Sequence, residues 1–279
     1  MLIDTHAHVN FNAYKSDADE VIRRSLDNET WMILVGSDYK TSKLALDYAN
    51  KYERGVYAAI GLHPIHLHEI MASDDDYEFK TRGEDFNFDA YEKLAKFEKV
   101  IAIGEVGLDY YHIDHEGDVN AIKERQKKVF AEQIKLARFL DIPVIIHCRQ
   151  AHDDMIVLIK DLKNENKGMF SSGKPWGVMH CFSGDEDLAW QYFGLGLIIS
   201  FTGLITFSGQ WDVLLRKMPL DKFMIETDSP YMTPEPFRGK RNEPSLVVEV
   251  ARRIAEIKGL SLDKVANITT NTARELFKI

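Results

Sequence analysis

The chain has 279 residues, of which 45% are hydrophobic and 28% are charged, and its formal net charge is −9 at neutral pH. This composition is typical of a globular protein, and it excludes disorder as the state of the whole chain. No apolar run approaches the ~20 residues of a membrane span, no secretory leader is recognisable, and the negative charge disfavours broad electrostatic capture of nucleic acid. We expect one cytoplasmic domain over residues 1–279, with no membrane contact and no protein partner that can be inferred.

Eight short runs rich in β-branched residues recur along the chain. They are apolar almost throughout, which is the pattern of parallel strands buried on both faces. The predicted strands are 1–6, 31–36, 56–61, 100–105, 143–148, 177–182, 197–203 and 223–230.

Segments with apolar residues at three-to-four spacing alternate with these strands and predict helices. The predicted helices are 17–29, 41–52, 88–99, 121–140, 153–165 and 185–194, with two more, 244–258 and 262–277, after the last strand. Strand and helix alternating through eight strands predict an α/β fold, a (β/α)8 TIM barrel forming a single domain with extra C-terminal helices. Two polar stretches, 71–87 and 164–177, are interpreted as solvated loop insertions.

Metal-binding side chains gather at the ends of the predicted strands. The active site of such a barrel lies at the carboxyl ends of its strands, so the residue that closes a strand is a candidate functional residue. Random placement would scatter histidines and carboxylates over both ends of the barrel, and their concentration at one end therefore predicts a metal centre. The candidate ligands are His6, His8, Glu105, His147, His180 and Asp228.

The size of this ligand set bears on how many ions it holds. Four imidazoles and two carboxylates exceed one ordinary site and suit two divalent cations that share a carboxylate. A single cation is the alternative, with Glu105 and one histidine orienting the true ligands. Nitrogen-rich ligation favours zinc or manganese, and magnesium is also open. Cys148 and Cys181 have no acid or base partner outside these ligands, so we expect buried, reduced thiols and no covalent catalysis.

Seven sequence blocks resemble one known family. "DTHAHVNF", "GLHP", "GEVGLDYY", "PVIIHCR", "MHCFSG", "ETDSPY" and "PFRGKRNEP" resemble the TatD-type metal-dependent hydrolases, a branch of the amidohydrolase-like barrels, in the family's order from Met1 to about Phe277. The resemblance implies a metal-dependent deoxyribonuclease on a TIM barrel. It also implies one metal on His6, His8 and Asp228 and a second on His147 and His180, with Glu105 bridging the two.

The catalytic candidates are Asp228 and Glu105. Asp228 would hold one metal and also accept the proton of the attacking water, since a carboxylate has two oxygens. The resemblance makes His63 in "GLHP" a contact to the substrate phosphate. Ile65 stands where relatives often carry a histidine, so the role of His66 is left open.

Further side chains are candidates for substrate binding. Arg238 and Arg241 could hold a phosphate through paired hydrogen bonds, although Arg241 could instead lock its loop onto the barrel. Arg149, directly after His147, has the same two interpretations. Tyr111 and His112 could stack on a base, with core packing as the alternative.

The leading hypothesis is a hydrolase of DNA phosphodiesters that trims single strands from the 3′ end, a direction given by the resemblance alone. One alternative is hydrolysis of an ester or amide, such as an aminoacyl-tRNA ester, because the same kind of centre can activate water for carbonyl chemistry. A second alternative is a metal-dependent module that binds nucleic acid without catalysis.

Overall fold

The chain forms a closed barrel of eight parallel strands with a small separate hairpin. The structure is a computed structural model, and it describes residues 1–74, 77–113, 117–165 and 173–279. The strands are β1 (Leu2–Ala7), β2 (Thr30–Val35), β3 (Val56–Ile60), β4 (Met71–Asp74), β5 (Tyr77–Lys80), β6 (Val100–Asp109), β7 (Val144–Arg149), β8 (Gly177–Met179), β9 (Leu197–Phe201) and β10 (Phe223–Ile225). The barrel strands pair in the order β1-β2-β3-β6-β7-β8-β9-β10, and a parallel bridge between Ala7 and Ser229 joins the two ends.

Helices follow the strands in the manner predicted. They are α1 (Ala18–Asp27), α2 (Tyr39–Ala49), α3 (Phe88–Ala95), α4 (Val119–Leu140), α5 (His152–Glu165), α6 (Glu186–Gly194), α7 (Asp212–Lys217), α8 (Val247–Lys258) and α9 (Leu262–Phe277). Side-chain caps begin several of them, because the first backbone N–H groups of a helix lack partners within it. Asp38 and Thr41 form a reciprocal capping box at the start of α2, and the Ser261 hydroxyl accepts a hydrogen bond from Lys264 N at the start of α9.

Apolar side chains fill one end of the barrel. Every barrel strand contributes at least one buried residue to a single cluster, among them Ile3, Ile101 and Met224, which lie near the amino ends of their strands. Leu276 and Phe277, at the end of α9, pack against this cluster. The last helix therefore covers the amino end, and the carboxyl end is left for polar residues.

The predicted barrel and its two C-terminal helices are confirmed, and several local predictions are wrong. The last three barrel strands end at Met179, Phe201 and Ile225 and not at the predicted residues 182, 203 and 230. Met71–Asp74 and Tyr77–Lys80, interpreted as solvated loop, form the antiparallel strands β4 and β5. Helix α7 is absent from the predictions because its six residues, fewer than two turns, are too few to show a period. Strand β6 runs four residues past its predicted end at Glu105.

Two further sequence predictions concern parts of the chain away from the barrel strands. Residues 166–172 of the second predicted insertion lie outside the described residues. None of the described helices combines the length and the apolar character needed to cross a membrane.

Candidate metal centre

The structure brings all six predicted ligands together at the carboxyl end of the barrel. His6 lies within β1 and His8 one residue beyond it, His147 lies within β7, and His180 directly follows β8. Glu105 lies in the middle of β6, and Asp228 follows β10 by three residues. Parallel strands in a closed barrel direct their carboxyl ends to one side, which is why positions so far apart in the chain meet.

The Glu105 carboxylate lies between two groups of histidines. Its Oε1 is 2.9 Å from His147 Nδ1 and 2.8 Å from His180 Nε2. Its Oε2 faces the other pair, 3.4 Å from His6 Nε2 and 3.7 Å from His8 Nε2. Each oxygen thus has its own set of imidazoles, as a carboxylate that bridges two cations requires.

The first group consists of His6, His8 and Asp228. The two Nε2 atoms are 3.1 Å apart, and Asp228 Oδ1 lies 3.4 Å from that of His8 and 3.7 Å from that of His6. His8 Nδ1 is 2.9 Å from the carbonyl oxygen of Val35, to which it donates a hydrogen bond. In the neutral ring this bond leaves the Nε2 lone pair directed at the cluster, the tautomer that a metal ligand needs.

The second group, His147 and His180, is backed by carboxylates that the sequence analysis did not select. His147 Nε2 is 3.1 Å from Asp109 Oδ2, and His180 Nδ1 is 3.4 Å from Glu226 Oε1. Asp109 and Glu226 are each about 1% exposed. A carboxylate behind a ligating imidazole orients the ring and raises its basicity.

Both carboxylates could have been predicted from their positions at the ends of strands. Asp109 is the last residue of β6, and the prediction stopped that strand four residues early. Glu226 directly follows β10, two residues before the selected Asp228. Asp4 is also buried, but its carboxylate accepts hydrogen bonds from the backbone of His6 and Thr227, and among the described residues it joins no metal-binding group.

Electrostatics favour positive charge at this site. Burial by itself would raise the pKa of Glu105, yet the surrounding imidazoles of His180, His63 and His147 hold that pKa well below its ordinary value. Burial would lower the pKa of His147, but Asp109 and Glu105 raise it to about 9. The pKa of His180 is raised too, by Glu105 and Glu226 acting against burial. Bound cations would supply the same positive charge and release these protons.

The donor set fits divalent cations. Four groups of three side chains have ligand atoms within 4.8 Å of one another, and all of them are buried or nearly so. Two of these groups match the predicted division of the ligands between two metal ions. Imidazole nitrogens together with carboxylate oxygens suit zinc or manganese. The four groups are His6, His8 and Asp228; His6, His180 and Glu226; His63, Asp109 and His147; and Glu105, His147 and His180.

Covalent catalysis by cysteine finds no support in the geometry. Cys148 and Cys181 are unpaired and partly buried, less so than predicted. Burial raises the pKa of each thiol to about 12. A thiol with such a pKa carries almost no thiolate at neutral pH and is a poor nucleophile.

The predicted substrate residues that follow β3 and β6 or end β7 lie at the same end of the barrel as this cluster. His63 Nδ1 accepts a hydrogen bond from Ile65 N, and its Nε2 lies 3.4 Å from Glu105 Oε1. His112 Nδ1 lies 2.8 Å from Oδ2 of Asp109, the carboxylate behind His147, so this ring is held against Asp109 and is not open for a base. The Tyr111 ring is 51% exposed, with the Arg149 guanidinium 3.8 Å from its centroid.

The two arginines of "PFRGKRNEP" have different surroundings. Arg241 forms a bidentate ion pair with Asp17, and its guanidinium lies 4.3 Å from the centre of the Tyr14 ring. These contacts favour the interpretation that Arg241 holds its loop against the barrel. Glu243 makes a matching pair with Arg24 of α1. Arg238 is exposed and has no ion pair among the described residues.

The chain is similar to known proteins along its whole length. Residues 3–278 match the family described as TatD related DNase. The chain is 38% identical to an uncharacterized metal-dependent hydrolase, YabD, of Bacillus subtilis over the full length of both, and 31% identical to YcfH of Escherichia coli, covering all of this chain and 96% of that one. The crystal structure of YJJV, a TatD homolog from Escherichia coli, superposes with a TM-score of 0.82 at 28% identity, covering all of this chain and 98% of that one.

Proposed function

Because the chain belongs to the TatD family of metal-dependent hydrolases, we propose that it hydrolyses phosphodiester bonds of single-stranded DNA, removing nucleotides from the 3′ end. The observation that carries this proposal is the position of Glu105 between two groups of histidines. Two cations about 3.5 to 4 Å apart are the usual arrangement for cleaving phosphate esters. The description of the matched family as a DNase supports DNA as the substrate.

Each of the six residues has a role in this proposal. His6, His8 and Asp228 would hold one cation, His147 and His180 the other, and Glu105 both. Such cations supply an acidified water and positive charge against the phosphoryl oxygens.

Asp228 accepts the proton of the attacking water. Its side chain is 12% exposed, whereas that of His6 is fully buried, so it can meet solvent and substrate. Burial would raise its pKa, but His8, His180 and His6 lower it, and the carboxylate is therefore ionised at neutral pH.

Other side chains hold the substrate. His63 Nε2 carries the ring proton when Nδ1 accepts from Ile65, so it can donate to a phosphoryl oxygen as it does to Glu105. The guanidiniums of Arg149 and Arg238 supply charge-assisted hydrogen bonds to neighbouring phosphates.

A cleavage assay with end-labelled single strands tests the proposal. Protein loaded with zinc, manganese or magnesium is incubated with one oligonucleotide labelled at its 5′ end or at its 3′ end. We expect a ladder of shortening products from the 5′ label and labelled mononucleotide from the 3′ label. Chelation and His6→Ala should abolish both.

A parallel incubation with aminoacyl-tRNA separates the alternative reaction. Release of the amino acid with no cleavage of DNA would replace our proposal with ester hydrolysis. Binding of DNA without turnover of either substrate would support the non-catalytic alternative.

A further inference from the structure

An aromatic ring and a guanidinium form an exposed layered pair at the mouth of the barrel. Arg238 Cζ lies 3.8 Å from the ring centroid of Phe207, and this ring is 41% exposed. Within the part of the chain that the structure describes, no carboxylate pairs with Arg238, although Arg241 three residues later is paired with Asp17. A guanidinium stacked on a ring keeps its N–H groups in its own plane, where they can meet an anion.

The backbone beneath this pair is fixed. Phe207 follows a 3-10 turn, residues 203–206, after β9, and Arg238 lies in the loop after β10. Gly203 packs so tightly on that loop that a Cβ there would lie 2.1 Å from the Met232 carbonyl oxygen. Thr206 Oγ1 accepts a hydrogen bond of 2.9 Å from Glu235 N. The two loops therefore hold the pair in place before any ligand binds, which lowers the entropy cost of binding.

The same loop connects the pair to the metal centre. It begins at Asp228, and the ring centroid of Tyr231 lies 6.5 Å from that of His8. Arg238 lies ten residues after Asp228 in this same loop, which follows β10 at the carboxyl end of the barrel.

A second layered pair lies on the other side of β8. It consists of Tyr111, which comes shortly after β6, and Arg149, which is the last residue of β7. Phe207 and Arg238 follow β9 and β10, so the two pairs flank β8, after which His180 comes directly. An extended chain that runs from one pair to the other therefore passes the end of β8, which His180 follows.

Charge identifies the ligand class. The protein carries a net charge of −9, so its general surface repels a polyanion. Arg238 and Lys240 are exposed cations on this loop without ion pairs among the described residues, and they locally reverse that repulsion. A single-stranded nucleic acid matches this surface, because it alternates flat bases with phosphate anions. Its unpaired bases can stack on aromatic rings and on guanidinium planes, and its phosphates can meet the exposed cations beside them.

We propose that the Phe207–Arg238 pair binds the nucleotide next to the scissile bond of single-stranded DNA, with its base on the layered pair and its phosphate on the guanidinium edge. This inference rests on the proposed function and adds a defined subsite to it. A duplex keeps its bases stacked within the helix and cannot use such a subsite.

The experiment compares two substrates, a ten-nucleotide single strand and methyl p-nitrophenyl phosphate, a phosphodiester without a base. We expect Phe207→Ala and Arg238→Ala each to lower the kcat/KM for the oligonucleotide about tenfold relative to the kcat/KM for the small diester, chiefly through KM. Phe139→Ala is the matched control, because Phe139 is 68% exposed on α4, which leads into the amino end of β7. It should leave the ratio as it is in the wild type.

Three other results would overturn the inference. One is an unchanged ratio in Phe207→Ala while the wild type cleaves DNA, and another is an equal fall in Phe139→Ala. The third is a tenfold effect with the RNA form of the oligonucleotide and none with DNA.

A failure of the proposed function has a different signature, since the wild type would then cleave neither substrate. In that case fluorescence anisotropy with the labelled oligonucleotide decides the subsite. Tenfold weaker binding by Phe207→Ala supports it, and equal binding overturns it.

Discussion

Asp228 differs from the other candidate ligands in its backbone conformation. Its φ is +54°, in the left-handed region that costs a non-glycine residue ~1 kcal/mol. Two hydrogen bonds hold it there, from Asp228 N to the His6 carbonyl oxygen and from Tyr231 N to the Asp228 carbonyl oxygen, each 2.9 Å long. Strain of this kind persists where the surrounding structure fixes it, and at this position it aims the carboxylate into the cluster.

Replacing Asp228 with asparagine should separate proton transfer from metal binding. The amide oxygen can still coordinate a cation, but the amide cannot take the water's proton. We expect metal content to be largely retained and DNA cleavage to fall by ~10² to 10⁴, the usual contribution of a general base. Elemental analysis and single-strand cleavage on the same preparation measure both.

The Asp228→Ala protein is the control for that prediction, because it has no oxygen to coordinate and should lose metal along with activity. Full activity in Asp228→Asn would show that another group accepts the proton.

Arg241 is expected to stabilise the fold without contacting DNA. Its guanidinium fork pairs with Asp17 and lies on Tyr14, at an exposed fraction of 27% for each partner of the ion pair. Arg241→Lys keeps the charge but loses the two-pronged geometry, so we expect the free energy of unfolding to fall by about 1 kcal/mol. Urea unfolding measures the loss, and KM for single-stranded DNA should stay within twofold. A raised KM at unchanged stability would instead place Arg241 on the substrate.

The pH dependence of this pair follows from Asp17, whose pKa its hydrogen bond to Arg241 lowers against a smaller effect of burial. A carboxylate with a depressed folded pKa stabilises the protein above its unfolded pKa of about 3.9, and this stability is lost as the pH falls through the folded value. The difference between wild type and Arg241→Lys should therefore be full at pH 6 and shrink below pH 4.

Among the elements, strand β6 shows both the strength and the limit of sequence prediction. Glu105 was placed correctly, because its position follows from a local pattern, the apolar run, combined with one topological rule, that the strands of a parallel barrel end on the same side. The charged Glu105 and then Gly107 interrupt the apolar run, so the strand was predicted to end too early and Asp109 was missed. The Arg241–Asp17 pair could not be predicted either, since it depends on how two loops pack across the barrel mouth.

The pairing of β6 with β7 requires a glycine at position 107. Its φ is +154°, and a Cβ there would lie 1.9 Å from the His147 carbonyl oxygen. We expect Gly107→Ala to lower the free energy of unfolding by at least about 3 kcal/mol, because backbone strain and a clash with backbone add together. Metal affinity should fall with it, since His147 is displaced.

Gly194→Ala is the matched control at the end of α6. An added Cβ there has no neighbour within 4 Å, so stability should be unchanged or slightly higher. Urea unfolding of both variants checks the pair, and equal stabilities would show that β7 can shift to admit the methyl group.

On the scale of the whole molecule, the closed barrel converts scattered positions into one site. Four imidazoles and two carboxylates from five strands or strand ends meet there, and α9 covers the opposite end with apolar residues. The sequence was sufficient for this convergence because barrel closure directs all carboxyl ends one way. It was insufficient for the layered pairs, whose positions depend on loop geometry.

Cations should therefore stabilise the entire fold. A ligand that binds only the native state adds about 2.7 kcal/mol at a hundred times its Kd. For a chain of this size that corresponds to roughly 5 to 10 °C in Tm for each occupied site. We expect metal-depleted protein to gain this shift in two steps as zinc or manganese is added, with two ions per chain at the end. Differential scanning calorimetry and elemental analysis along one titration measure the steps.

Glu105→Gln is the decisive variant for that titration, because a neutral amide cannot offset the repulsion between two cations held close together. It should retain a single step and a single ion, carried by His6, His8 and Asp228, whose own carboxylate is intact. Cleavage of DNA should be lost at the same time, since no second cation faces the phosphate. Two tightly held ions in Glu105→Gln, or a single step in the wild type, would contradict the proposal. Either result would mean that Glu105 does not bridge two metal ions and only orients the ligands of one.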